Sequence, residues 1–199
     1  MRVKLMLLAA SGMIATSTDL SAETSSTVID QNFAGCPGKA QLLKMVGVSW
    51  DTRPTKWQDH KALREHLHAP VPEGPMRILF WSFGVHHTSV SFSVIAVRNA
   101  QGQWHTNGVG EEGPGLLQIA PRPWGGLDRD LSVEQGRKLD HLLADPCLYA
   151  SPRYQRDPAI VAGGAEQTLE IESAEHHWIG SWFGARTPQE EAVIESISE

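Results

Sequence analysis

The chain has nine histidines. The doublets His86-His87 and His176-His177 and the run His66-Leu67-His68 are residues of metal-ligating type. Their spacing argues against simple chelation. Adjacent residues on a strand point to opposite faces, and residues two apart on a helix diverge by about 200°. The chain contains no HExxH, no cysteine-rich knuckle and no calcium-loop pattern, so no metal and no cofactor are expected. What remains is a site assembled across elements. Its candidates are His86, His87, His141 and Glu111 or Glu112. A histidine and carboxylate cluster of this kind would suit a hydrolase, metal-assisted or not.

Nucleophiles are no better served. There is no Gly-x-Ser-x-Gly elbow, and Gly180-Ser181-Trp182 lacks its spacing. Ser89, Ser91 and Ser93 alternate beside His86-His87, which reads as a solvated strand face. Cys36 and Cys147 are the two cysteines, and in an oxidising compartment they are expected to pair. That pairing removes both as nucleophiles. Most of the seven tryptophans alternate correctly within expected strands and read as core. Trp124 sits in a Pro/Gly-rich stretch near Arg122 and Arg129 and is the aromatic expected to be exposed for binding.

The elements that must position these groups are organised around Met76–Gly110. Met76–Phe83 is a short apolar run, and Ser89–Arg98 alternates. After the turn residues Asn99–Gly102 the chain returns, which predicts an antiparallel hairpin with Arg98 opposite Gln103 and Val97 opposite Trp104. A second hairpin is expected from Thr168–Glu172 and His177–Phe183, with Ile171 opposite Trp178 and a surface pair between Glu172 and His177. Helices are expected at Lys39–Val46, at Lys56–His68 after a Thr55/Gln58 capping box, at Val133–Ala144 after Ser132/Gln135, and at Pro188–Ile197 after Thr187/Glu190. The first of the capped helices carries a stripe of Trp57, His60, Leu63 and Leu67; the second is expected to bury Val133, Leu139, Leu142 and Leu143. Leu116–Ala120 reads as a short strand, Trp124-Gly125-Gly126 as a turn and Ser151–Gly164 as a loop. The order predicts an α+β fold, an antiparallel sheet built from hairpins with helices packed mainly on one face.

The segments LLADPCLYASP, GGAEQTLEIESAEHHWIGSWF and TPQEEAVIESI give a helix stop, an aromatic-ended hairpin and an acidic capped helix. In this the C-terminal third resembles a group of small exported bacterial proteins. The resemblance implies fold and compartment and brings no catalytic residue with it.

Export is also expected from the first residues. Arg2 and Lys4 precede the apolar stretch Leu5–Thr16, which at about a dozen residues is too short to span a bilayer. Cleavage after Ala22 is expected, leaving Glu23–Gly35 as a flexible leader and 36–199 as one globular domain. Cys36 follows a polar stretch, not the apolar segment, so a lipoprotein signal is rejected. Loss of Arg2, Lys4 and Asp19 takes the net charge from -6 to about -7. An acidic chain without a basic run is not expected to bind nucleic acid or anionic membranes, and no span is expected after signal removal. Together these readings describe a periplasmic or secreted binding module without catalytic activity, whose partner is a protein or an envelope component. The alternative is a secreted hydrolase built on the histidine and carboxylate candidates.

Overall fold

The computed structural model describes residues 35–36, 47–85, 88–114, 120–157, 164–184 and 186–199. Strands form at β1 (Met76–Val85), β2 (Thr88–Arg98), β3 (Trp104–Pro114), β4 (Arg122–Asp130), β5 (Tyr154–Arg156), β6 (Ala165–Glu172) and β7 (His177–Phe183). Helices form at α1 (Trp57–His66), α2 (Val133–Leu143), α3 (Pro146–Tyr149) and α4 (Pro188–Ser198). The strands make one sheet in the order β4-β3-β2-β1-β6-β7-β5. Neighbours are antiparallel except for the parallel β5–β7 pair. The fold is α+β, with helices mainly on one face.

Alternation along the strands divides the apolar residues between two faces. On one face Ile78, Phe80, Val94, Leu169 and Ile171 lie under Leu139 of α2, Leu148 of α3 and Val193, Ile194 and Ile197 of α4. The opposite face carries a smaller cluster, Leu79, Ile95 and Val97, packed against Trp57 and Val71. There α1 crosses the central strands. It ends in a Schellman arrangement: Ala69 N–H donates to the Arg64 carbonyl at 2.8 Å and His68 N–H to that of Glu65 at 3.2 Å, with His68 in the left-handed region at φ 52°.

Both capping boxes predicted for α2 and α4 form, Ser132 with Gln135 and Thr187 with Glu190. The second hairpin has the expected register, Ile171 opposite Trp178. The first does not. Arg98 faces Trp104 and Val97 faces His105. Asn99 N–H donates to the Gln103 carbonyl and Gly102 N–H to that of Asn99, each at 3.0 Å. The loop therefore has three residues, Ala100–Gly102, with Gly102 at φ 82°. The slip of one residue turns β3 over relative to β2. Val97 packs on the α1 side and Trp104 among Leu131 and Leu139 on the other.

Four further expectations are corrected. Thr55 does not close a capping box; its hydroxyl accepts from Trp57 N–H at 3.1 Å and donates to the carboxylate of Glu170 at 2.6 Å. Trp124-Gly125-Gly126 is part of β4, bulged against β3 near Gly108 and Gly110. The expected loop Ser151–Gly164 contains β5. Val133 is 73% exposed, because the first turn of α2 stands off the β2–β3 turn with a cleft between them. The expected signal and leader through residue 34, the helix Lys39–Val46 and most of the strand Leu116–Ala120 lie outside the described residues.

Candidate functional site

Beneath α1 the sheet holds a cluster of buried polar groups. His60 is 1% exposed, and Arg64 and Ser93 are 0% exposed. They meet because His60, Leu63, Arg64 and Leu67 follow the i, i+3, i+4, i+7 pattern and share the helix face turned to β2. All five guanidinium N–H groups of Arg64 are used. Nε donates to Ser93 Oγ at 3.0 Å, Nη1 to the Pro70 carbonyl at 2.7 Å and to Asn107 Oδ1 at 2.5 Å, and Nη2 to the carbonyls of Ser93 at 3.2 Å and Asn107 at 2.8 Å. Asn107 passes the network on to Asp128 through Nδ2, at 3.2 Å.

Ser93 Oγ also lies 2.7 Å from His60 Nδ1. Oγ accepts from Arg64 Nε, and its second bond to Nδ1 runs in the direction that the imidazole tautomer sets. Burial, and then the neighbouring guanidinium, hold His60 far below the ordinary imidazole value, at about 3. The ring is therefore neutral and meets Trp81 edge-on at 5.3 Å. Burial also lowers Arg64 to about 10, which leaves it charged at neutral pH. A serine polarised by a histidine has the composition of a nucleophile, but both lie under the helix where a substrate cannot reach them. The cluster is a joint between α1 and the sheet.

The open site is elsewhere. A cleft of about 560 Å³ lies between the β2–β3 turn and α2. Its floor is Trp104, fixed by a bond from Nε1 to Asp140 Oδ1 at 2.9 Å. Arg98 Nη2 donates to the other oxygen of Asp140 at 3.1 Å. Gly136 admits the helix to this position, because a Cβ there would stand 3.3 Å from Trp104 Cδ1. Arg137, Leu131 and the exposed Val133 complete the walls.

The sequence candidates are not assembled into one site among the described residues. Glu111 faces α1 and pairs with His66 Nε2 at 2.8 Å. His141 is exposed on α2, on the other side of the sheet. Glu112 pairs with Arg122 at 2.7 Å. His86, His87 and the side chain of Trp124 lie outside the described residues. His177 bonds to Glu170 at 2.8 Å rather than to Glu172, which is held instead by Arg77 across the β1–β6 pair. No three His, Cys, Asp or Glu side chains converge to hold a metal ion among the described residues, and no helix there is long and apolar enough to cross a membrane. Cys36 and Cys147 are joined as a disulfide, with Cα atoms 5.4 Å apart.

No protein-family model, no curated protein and no solved structure matches the chain.

Proposed function

We propose that this is an exported binding protein that acts by contact with a protein or envelope component and not through chemistry of its own. The observation that carries this reading is the cleft beside α2. It combines an exposed apolar rim at Val133, backed by the buried Trp104, with the guanidinium groups of Arg98 and Arg137. That mixture of apolar surface and a few fixed polar groups is what a recognition site requires. Export is supported by the charged and apolar pattern of Met1–Ala22 and by the bonded cysteines.

The experiment is expression of the full chain with a photo-crosslinking residue at Gln101, on the cleft wall. The expected result is a mature protein beginning at Glu23 outside the cytoplasm, with one crosslinked species that disappears in Val133→Asp and Arg137→Glu. Retention of an uncleaved chain in the cytoplasm defeats the export reading, and a crosslink indifferent to both substitutions defeats the cleft.

A further inference from the structure

We propose that α1 is an acid-released cover: protonation of the His60 imidazole detaches the segment Trp57–Val71 from the sheet while β1, β2 and β6 stay paired. This inference does not depend on the binding role. The apolar seat of α1 is the small cluster of Leu79, Ile95 and Val97 with Trp57 and Val71. The large core lies on the other face, under α2, α3 and α4. The helix is therefore held largely by the polar joint, and such elements open at the low end of a protein's range of local stabilities.

The joint favours a neutral ring. His60 and Arg64 are both buried and share Ser93 Oγ. A proton on the imidazole would place a second positive charge in this buried site, one helical turn from the guanidinium. Among the described residues no carboxylate bonds to His60. The groups facing His60 are Arg64 on α1, Ser93 on β2 and Trp81 on β1. Asn107 on β3 faces Arg64, and Asp128 on β4 bonds to Asn107 and to His105. At the margins Lys56 pairs with Asp59, Glu111 with His66, and Glu170 with Thr55 and His177. Among the described residues these carboxylates are thus committed elsewhere, and Glu65 of α1 is exposed.

The direction of the effect follows. His60 has its ordinary value of 6.5 when the helix is detached and about 3 when it is docked. A histidine with a lowered value stabilises docking fully above 6.5, and that stabilisation is lost as the pH falls towards 3. Each unit between these limits favours the detached form about tenfold, so a shift from neutral to pH 4.5 favours it by about a hundredfold.

The test is amide hydrogen exchange of the full chain at pH 7.0 and 4.5, expressed as protection factors. Protection across Leu63–Leu67 is expected to fall about a hundredfold, or to nothing, while amides of Ile78, Val94 and Leu169 keep theirs. His60→Gln, which cannot titrate, is expected to abolish the difference. The proposal is overturned if the helix keeps its protection, if helix and strands lose it together, or if His60→Gln shows the same acid loss, which would assign the effect to a group other than His60. If His60→Gln does not fold, His60→Asn takes its place with the same deciding outcomes.

Discussion

Arg64 grips Asn107 twice, through its side-chain oxygen at 2.5 Å and its backbone carbonyl at 2.8 Å. The same guanidinium binds Ser93 and the Pro70 carbonyl, so one side chain ties α1, the segment after it and two strands. Removing it strands several buried acceptors at once, each of which costs about 1–3 kcal/mol when left without a donor. Arg64→Met is expected to lower stability by about 3–5 kcal/mol in urea denaturation. Arg64→Lys is expected to recover less than half of that, because an ammonium cannot span the fork.

A second relationship is steric. The Trp178 indole lies over Gly180, two residues along the same strand, and a Cβ added at position 180 would overlap ring atoms Cη2 and Cζ2. Trp178 is 2% exposed and packs against Tyr149, so the ring has little room to yield. Gly180→Ala is expected to cost about 2–3 kcal/mol through overpacking. Thermal unfolding of Gly180→Ala beside Gly126→Ala checks this, since a Cβ at position 126 meets nothing within 4 Å.

How far the sequence reached is clearest in the hairpins. The β6–β7 pairing was legible because a four-residue turn and strong alternation leave one register. The β2–β3 pairing was mistaken by one residue because the turn sequence fits loops of either length. Only the hydrogen bonds of Asn99 and the left-handed Gly102 decide between them. The caps of α2 and α4 were legible because their residues are local. The joint under α1 was not: Ser93 reads as part of a solvated ladder, and Arg64 lies outside the apolar stripe of Trp57, His60, Leu63 and Leu67. Its signal was present, since Arg64 lies four residues after His60 and seven after Trp57. A charge beside an apolar stripe is ordinarily solvated, and only the partners on β2 and β3 overrule that. The Trp104 cleft depends on Asp140 and Gly136, which are distant in sequence from the turn they face.

Glu190 makes a prediction about pH. Its carboxylate accepts from Thr187 N–H at 2.8 Å and from Gln155 Nε2 at 3.0 Å. Burial nevertheless raises it to about 7, outweighing the hydrogen bonds and Arg186, which act in the opposite direction. A raised acid contributes stability that is fully present below its ordinary 4.5 and is lost as the pH rises through about 7. His60 slopes the other way between about 3 and 6.5, so the two oppose each other over roughly pH 4.5–6.5. Wild-type stability is expected to vary little there, while His60→Gln is expected to lose stability steadily from pH 5 to 7. Glu190→Gln, which keeps the box as Gln135 does in α2, is expected to gain stability as the pH rises from about 4.5 to 6.5, with the His60 slope left unopposed. Urea midpoints at half-unit pH intervals for the three proteins check the signs.

The disulfide can be separated from the packing around it. Cys36 and Cys147 are 111 residues apart in sequence, and a crosslink closing so long a loop restricts the unfolded chain by roughly 4–5 kcal/mol in the chain-entropy model. Cys147 is also the second residue of the short α3, where its N–H donates to the Asp145 cap at 2.8 Å, a bond that a serine in its place retains. If the crosslink acts through the unfolded state, Cys36→Ser, Cys147→Ser and the double variant should lose the same amount, about 4 kcal/mol, equivalent to a midpoint lower by about 10 °C in a chain of this size. Addition of dithiothreitol should bring the wild type down to the same midpoint and leave the variants unmoved. A double variant less stable than either single one would instead place the contribution in separate contacts of the two sulfurs. Calorimetry of the four proteins with and without reductant distinguishes the two origins.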